Sequence, residues 1–495
     1  MRIAPVVVAL VSAAALTAAP VSLYPDYAGI AVPPNIAPLN FDVRGGQGKI
    51  AVTLGNTKGV SETFGRAVRV GERFWRHLLD DTAYTITVTE NGNRIFFATN
   101  TIVNTPIDPV LSYRLIPPSY ENYNRIGIWW RDLTCFEERP FYTNYQSSSK
   151  QCVNCHTFHN YNPDASLFHL RASDPGTVIF RGKDDAGRKT NLKGGPFFGA
   201  GVYPAWHPEG RFIAFSVNET RQVFYFANPD KIEVLDGRSD MMLYDLDTNE
   251  ALPVELSEGL FDCFPAWSPD GNTLYSVVAE PGFGKMPEDS KERTLQAIGG
   301  YTNLCYNLVE RRFDRATRRF SKPRMILDAA SSKRSVTLPR VSPDGRWLVF
   351  SLGPQGVFHV WHRQSDLWML DLKKNSIRPL TEINSSEAES YHSFSSDGTW
   401  MVFSSRRDDG AYTRPYFTHF DAETGHFTKP FLLPQLEPSD HLRRMESYNI
   451  PEFAKGRPSR TPRDVRRTAE GPAASARFPR SAPDELPFPV ENSPE

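Results

Sequence analysis

Cysteine is scarce in this chain: five residues in 495, too few to build a disulfide-stapled scaffold. A surplus of either charge is also missing. Lys and Arg number 56 against 57 Asp and Glu, for a net charge of −1, so the basic excess of a general nucleic-acid binder is absent. Past residue 22, no apolar run is long enough to cross a bilayer. No G-x-S-x-G elbow occurs, which leaves a hydrolase of the propeller-peptidase type without its nucleophile. Neither H-E-x-x-H nor a P-loop is present. What the chain does have is 40 prolines, 33 glycines and 12% aromatics. That combination points to many tight turns between many short strands rather than to disorder. The length suits one large architecture with additions.

Residues 1–22 begin with Arg2 and continue as an apolar, Ala- and Val-rich stretch ending in small residues. This is the pattern of an export signal, with a retained N-terminal anchor as the alternative. Either way the bulk of the protein is expected outside the cytoplasm, in the periplasm. Residues 23–40 are Pro-rich and extended. Residues 41–110 alternate like strands, with a hairpin at Asn91-Gly92 and a helix expected within 66–79. Together 23–110 read as a small β-rich domain.

From about residue 200 the sequence repeats. YPAWHPEGRFIAFS (203–216), FPAWSPDGNTLYSV (264–277), LPRVSPDGRWLVFS (338–351) and YHSFSSDGTWMVFS (391–404) share one grammar. Each has a tight turn ending at Gly210, Gly271, Gly345 or Gly398, then a hydrophobic strand. The glycine fits positive φ at the end of the turn. The acidic residue before it can accept from turn amides. A second element recurs: a strand ending in Asp132, Asp245, Asp371 or Asp421, followed by a polar turn. Such units bury their apolar surface only by stacking into a ring. The expectation is an all-β fold, a β-propeller of about six blades near 111–147, 165–197, 200–256, 262–329, 336–385 and 389–434. Residues 455–495 are Arg-, Pro- and Ala-rich and then acidic, and read as a disordered tail. The alternative is a basic arm that touches an anionic surface such as lipid headgroups.

Chemistry enters at Cys152-Val153-Asn154-Cys155-His156. C-x-x-C-H is the attachment signature of haem c. Two thiols add across the porphyrin vinyl groups, and the following imidazole becomes the proximal iron ligand. A chance match is expected in roughly one chain in a thousand of this composition. The expected cofactor is therefore one covalently attached haem c on Cys152, Cys155 and His156. Zinc would need about four ligands, and no second suitable Cys pair exists. A thioredoxin-type pair would need a βαβ context; a plain disulfide is the third alternative. If the motif opens a helix, His159 shares a face with His156 and cannot reach the other side of one porphyrin. His169 is the favoured sixth ligand, ahead of His207, a Met or an open site. Cys263 and Cys305 fall in one expected blade and are either paired or free buried thiols; Cys135 has no evident partner. The cluster Ser405-Arg406-Arg407-Asp408-Asp409-Gly410 with Arg414 is either a loop of internal ion pairs or an anion or partner contact at the propeller mouth.

The repeat turns resemble those of TolB-like periplasmic propellers, whose signature is close to P-x-W-S-P-D-G; FPAWSPDG matches it best. The segment from Tyr142 through Arg171, with 202–216, 404–417 and 447–453, looks like a family of exported TolB-like propellers that carry a single C-x-x-C-H insertion, labelled cytochrome c-type or cytochrome c biogenesis-like. The resemblance implies a propeller over 111–454 with a haem-binding insertion at 148–170. In it Cys152, Cys155 and His156 match the haem motif, and His169 matches a His in an F-H-x-R segment. The function expected is a mono-haem cytochrome passing electrons to or from a periplasmic redox or envelope partner, with no nucleic acid involved. The alternative is a protein-binding scaffold whose haem is structural or sensory.

Overall fold

The computed structural model describes residues 20–118, 125–146, 152–171, 175–225, 230, 232–255, 259–281 and 287–479. Most of the stretch expected to be an export signal (1–19 of 1–22) and the end of the tail (480–495) lie outside the described residues.

Among the described residues, six sheets follow one plan, four antiparallel strands laid side by side, in chain order in all but the sheet that closes the ring. Their first strands are Cys152–His159, Val202–Trp206, Phe261–Trp267, Ser335–Val341, Glu389–Phe394 and Ser447–Ala454. Each first strand touches the first strand of the next sheet, and the last returns to the first, so the six close a ring. The ring is a β-propeller. Its closure is made by distant parts of the chain. Ser447–Ala454 pairs antiparallel with Val110–Ile116, which continues into Gly127–Asp132 and Glu138–Thr143. A strand from near the C-terminus thus completes the blade begun near residue 110.

The turn glycines take the conformation their place demands, with φ from 70° to 76° at Gly210, Gly271, Gly345 and Gly398. The preceding Asp residues accept from turn amides, as Asp270 does from Asn272 N at 3.0 Å and Asp397 from Thr399 N at 3.0 Å. The strand-ending aspartates do the same: Asp132, Asp245, Asp371 and Asp421 each accept from the amide two residues on, at 2.9–3.0 Å. Asp314, in a copy the sequence reading passed over, accepts from Ala316 N at 2.9 Å.

Two expectations change. The motif does not lie in an insertion between blades, nor does it open a helix. Cys152–His159 is the first strand of a blade and pairs with Asn162–Arg171, Gly176–Arg181 and Arg188–Asn191. That blade begins before 165, because the motif itself supplies its inner strand. Nor is the tail disordered from 455. Pro462–Glu470 is a helix capped by Thr461, and it buries Val465 and Ala469 against Phe141, Phe168 and Phe180 of the first two blades. Ala474–Ser475 then adds a parallel strand to Arg188–Asn191. These residues pack because the helix presents two small apolar side chains one turn apart, which the overall Arg and Pro content hides. Several arginines of the basic run bond to the propeller itself, among them Arg457 to Asp132 and Glu137.

The N-terminal region forms a five-stranded sheet around the hairpin Ala83–Glu90 and Asn93–Ile102. Asn91 and Gly92 have φ of 52° and 85°, the primed turn that matches strand twist. The helix spans Glu72–Leu79 and buries Trp75, Leu78 and Leu79. This region shares one apolar core with the last blade: Tyr27, Trp75 and Ile86 belong to the same cluster as Trp400, Phe417 and Phe431. The Trp400 indole donates to Thr105 O at 3.1 Å.

Candidate functional site

All six inner strands carry the same irregularity. In each, two residues bulge out of register with the second strand: Cys155-His156, Tyr203-Pro204, Phe264-Pro265, Leu338-Pro339, Tyr391-His392 and Ile450-Pro451. The first residue of each pair is left-handed, with φ between 44° and 55°. Non-Gly residues rarely adopt this conformation, and its sixfold recurrence marks it as a designed feature of the ring. The second position is proline in four of the six. Proline fits there because the interrupted ladder needs no N–H. The motif thus places thiol and imidazole where four other blades place a large side chain and a proline, and the fifth places Tyr391 and His392.

The bulges line the axis of the ring. Cys155, Tyr203, Tyr391 and Ile450 border a cavity of about 450 Å³, together with Cys152. This size suits a small organic ligand or cofactor. Thr220, Gln222, Ile232 and Val234 contribute another wall. They come from the long hairpin Phe212–Phe224 and Ile232–Asp245, which outreaches its sheet. His156 faces a smaller void beneath, shared with Cys155, Tyr203 and Ile450.

His156 is 4% exposed, and neither ring nitrogen makes a well-formed hydrogen bond, although the backbone of Ser112 and Ile450 acts on the ring. Leaving a buried polar group unpaired costs about 1–3 kcal/mol. Burial, and then the nearby Arg114 charge, push its pKa down to about 3. The ring is therefore neutral at ordinary pH, the form that ligates metal. His392, at the equivalent bulge position, differs: its Nε2 pairs with Val349 O at 2.8 Å. Burial raises the pKa of the Cys155 thiol, whose sulfur accepts from Tyr203 N at 3.5 Å. Arg114 ties the motif strand to the closing strand, donating to Val153 O at 3.2 Å and Asn449 Oδ1 at 2.7 Å.

The structure brings Cys152, Cys155 and His156 to the axis and keeps His169 away from it. His169 pairs across the sheet with Asn154 and is buried, with Nδ1 3.2 Å from Thr177 Oγ1. It does not border the cavity. His207 sits in a blade turn, 3.1 Å from Gly271 O and edge-on to Trp267. His159 is 2.8 Å from Pro208 O. Among the described residues bordering the cavity there is no imidazole, His156 included, and no thioether; His156 faces only the smaller void next to it. All five cysteines are free, Cys263 and Cys305 included. Among the described residues no three His, Cys, Asp or Glu side chains converge as a metal ion needs, the motif's own trio included. The fit to a haem c is good on two counts. Both thiols open on one cavity, and the adjacent imidazole is buried, neutral and without a well-formed hydrogen bond.

Sequence reading singled out Arg406, in its cluster at 405–410, but missed Arg114, Arg171 and the tyrosines around this cavity. One signal was available: Cys-His-Thr-Phe at 155–158 aligns with Tyr-Pro-Ala-Trp, Phe-Pro-Ala-Trp, Tyr-His-Ser-Phe and Ile-Pro-Glu-Phe at the other bulges. Of the charged cluster at 405–410, only Arg406 reaches the cavity. Arg407 pairs with Glu389 at 3.1 Å, and Arg414 donates to the carbonyls of His441 and Arg444 at 2.9 and 2.7 Å.

No helix among the described residues is long and apolar enough to cross a membrane. No family model matches the chain, and no curated protein does. Among solved structures, TolB from Acinetobacter baumannii is similar at a TM-score of 0.42 and 13% identity, covering 78% of this chain and 86% of its own. An oligogalacturonate lyase in complex with manganese gives 0.36 and 15%, covering 64% and 72%. A puromycin-hydrolysing peptidase of Mycobacterium tuberculosis gives 0.36 and 12%, over 66% and 45%.

Proposed function

We propose that this chain is an exported mono-haem c-type cytochrome built on a six-bladed TolB-like propeller. One observation carries the reading. Of six equivalent bulges, the one with a C-x-x-C-H sequence has its thiols on a cavity and its imidazole buried without a well-formed hydrogen bond. In this reading Cys152 and Cys155 hold haem c by thioether bonds, and His156 is the proximal ligand. Bound haem would supply one-electron exchange between Fe(II) and Fe(III). The protein's part is to fix the ring at the axis and wall it from water with the long hairpin. Electrons would pass to or from a periplasmic redox or envelope protein, through the small interface such exchanges use.

For the sixth position, ligation by His169 requires its contact with Thr177 to break. An open site needs no rearrangement. Carbon monoxide added to the ferrous protein separates the two, because rapid binding means an open site. A second reading makes the haem structural or sensory and the propeller a protein-binding scaffold. It is favoured by Phe224, Leu295 and Ile298, exposed at 50%, 69% and 48% on the hairpin and on the helix Ser290–Gly300 packed against it.

The deciding experiment is intact-mass analysis of the denatured chain after expression with haem-attachment machinery. A mass increased by one haem is expected. A chain of unmodified mass, or one in which Cys152 and Cys155 are joined to each other, overturns the cofactor reading.

A further inference from the structure

Three guanidiniums, Arg114, Arg171 and Arg406, border the cavity that the motif thiols share, and among the described residues no Asp or Glu does. Arg171 is exposed and Arg114 half-buried, so the cost of this net positive charge falls chiefly on the buried Arg406 unless an anion enters. Arg406 is the clearest case. It is 3% exposed, and its guanidinium lies 3.4 Å over the Trp361 ring. Nε donates to Val360 O at 2.7 Å and Nη1 to Ala411 O at 2.8 Å. The three nearby acids are engaged elsewhere, Asp230 accepting from Arg363 N at 3.3 Å. Glu387 pairs with Arg363 at 2.5 Å, and Asp409 accepts from Ala411 N and Tyr412 N at 2.8 Å. Burial outweighs those acids and lowers the Arg406 pKa to about 9. Other buried arginines of the chain show the contrast. Arg311 pairs with Asp262 and Glu255 at 2.7 and 2.9 Å, and the Arg414 donors are taken up by carbonyls away from the cavity.

We propose that Arg114, Arg171 and Arg406 are the seat of the two carboxylates that a haem carries on its edge, so that the cavity selects a dianionic tetrapyrrole. This rests on the cofactor reading above. Guanidinium is the side chain best matched to carboxylate, with planar paired donors. Arg171 is the register partner of Cys152 and Arg114 donates to Val153 O, so these two stand beside the thiols, while Arg406 comes from another blade. The stacked Trp361 restrains Arg406 before any ligand arrives, which lowers the ordering cost of binding.

The test uses the full chain matured with haem-attachment machinery, as wild type and as Arg406→Gln, Arg406→Lys and Arg171→Gln. Two quantities are read: intact mass after denaturation, and the one-electron midpoint potential. All four proteins are expected to carry one haem. Removing a positive charge beside the carboxylates favours the ferric state. Each Gln variant is expected to shift the ferric-to-ferrous ratio at fixed potential about tenfold, a fall of about 59 mV for one electron. Arg406→Lys keeps the charge and most of the potential. Haem attached at an unchanged potential in both Gln variants overturns the arginine assignment and leaves the cofactor reading standing. Wild type without haem overturns the cofactor reading and this assignment with it. Should Arg406→Gln fail to accumulate, Arg171→Gln decides, since Arg171 is an exposed strand-end residue.

Discussion

Replacing His156 by proline tests the site without assuming its occupant. Four of the six bulges carry proline at this position, each preceded by a residue of positive φ as Cys155 is. The backbone therefore accepts the change. In the chain made without haem attachment, His156 buries two ring nitrogens that lack well-formed hydrogen bonds. Removing an unsatisfied buried polar group returns about 1–3 kcal/mol. The control is His392→Pro at the equivalent bulge, which loses the bond to Val349 O, worth about 0.5–1.5 kcal/mol. The two variants should thus separate by about 2–4 kcal/mol, with His156→Pro the more stable. Urea denaturation followed by tryptophan fluorescence measures the difference. If the proposed haem is attached, the order should reverse: His156→Pro would remove the proposed proximal ligand and shift the Soret band, while His392→Pro would keep the wild-type spectrum. Equal destabilisation of the two variants in the haem-free chain would refute the claim that His156 is held ready for a ligand.

Four further outcomes follow from the packing. Asp236 is buried, accepts from the Tyr306 hydroxyl at 2.8 Å, and has its pKa raised by burial to about 7. Between the ordinary carboxylate range and pH 7 the folded state then holds a proton that the unfolded state has lost, so stability falls as pH rises through that window and levels off above it. Asp236→Asn should flatten this slope in urea midpoints measured from pH 4.5 to 7.5; an unchanged slope contradicts the assignment. Arg311→Met leaves Asp262 buried without its 2.7 Å partner, at a cost of about 3–5 kcal/mol, readable as a lower urea midpoint. At Gly271, φ is 70° and an added Cβ would come within 2.3 Å of His207 Nε2. Gly271→Ala should cost about 1–3 kcal/mol from backbone strain alone, and a neutral result would show that the turn relaxes freely. Truncation after Lys455 exposes the surface that covers Val465 and Ala469 and should lower thermal stability; an unchanged melting curve would make the C-terminal helix dispensable.

The repeating turns were legible because each needs a chemically restricted residue. Only glycine sits easily at φ near 70°, and only a short acid reaches amides two residues on. The C-x-x-C-H spacing stood out for the same reason. The place of the motif in the ring was not legible as long as it was compared with helices. Its flanking residues lack the P-D-G turn that marks the later blades, so the inner strand Cys152–His159 was mistaken for an insertion. Cavity residues such as Arg114, Tyr391 and Arg406 are scattered over nearly 300 positions and meet only through ring closure. The tail misled through composition: seven arginines between 457 and 480 obscured Val465 and Ala469, whose spacing places them on one helical face. His169 illustrates a different limit. Sequence distance allows it to reach round a macrocycle, but strand register decides where a side chain points, and register against Gly176–Arg181 sets His169 opposite Thr177.

Closure by Ser447–Ala454 has a consequence for biogenesis. Ser447, Asn449 and Ile450 belong to that strand and also border the cavity, and the cysteine strand is its neighbour in the ring. The pocket is therefore absent until almost the whole polypeptide has been made. Before that seam is sewn, the cysteine pair lies on an unfinished rim; afterwards it is walled in. The latch of the wheel thus doubles as a timer for anything that must reach the two thiols.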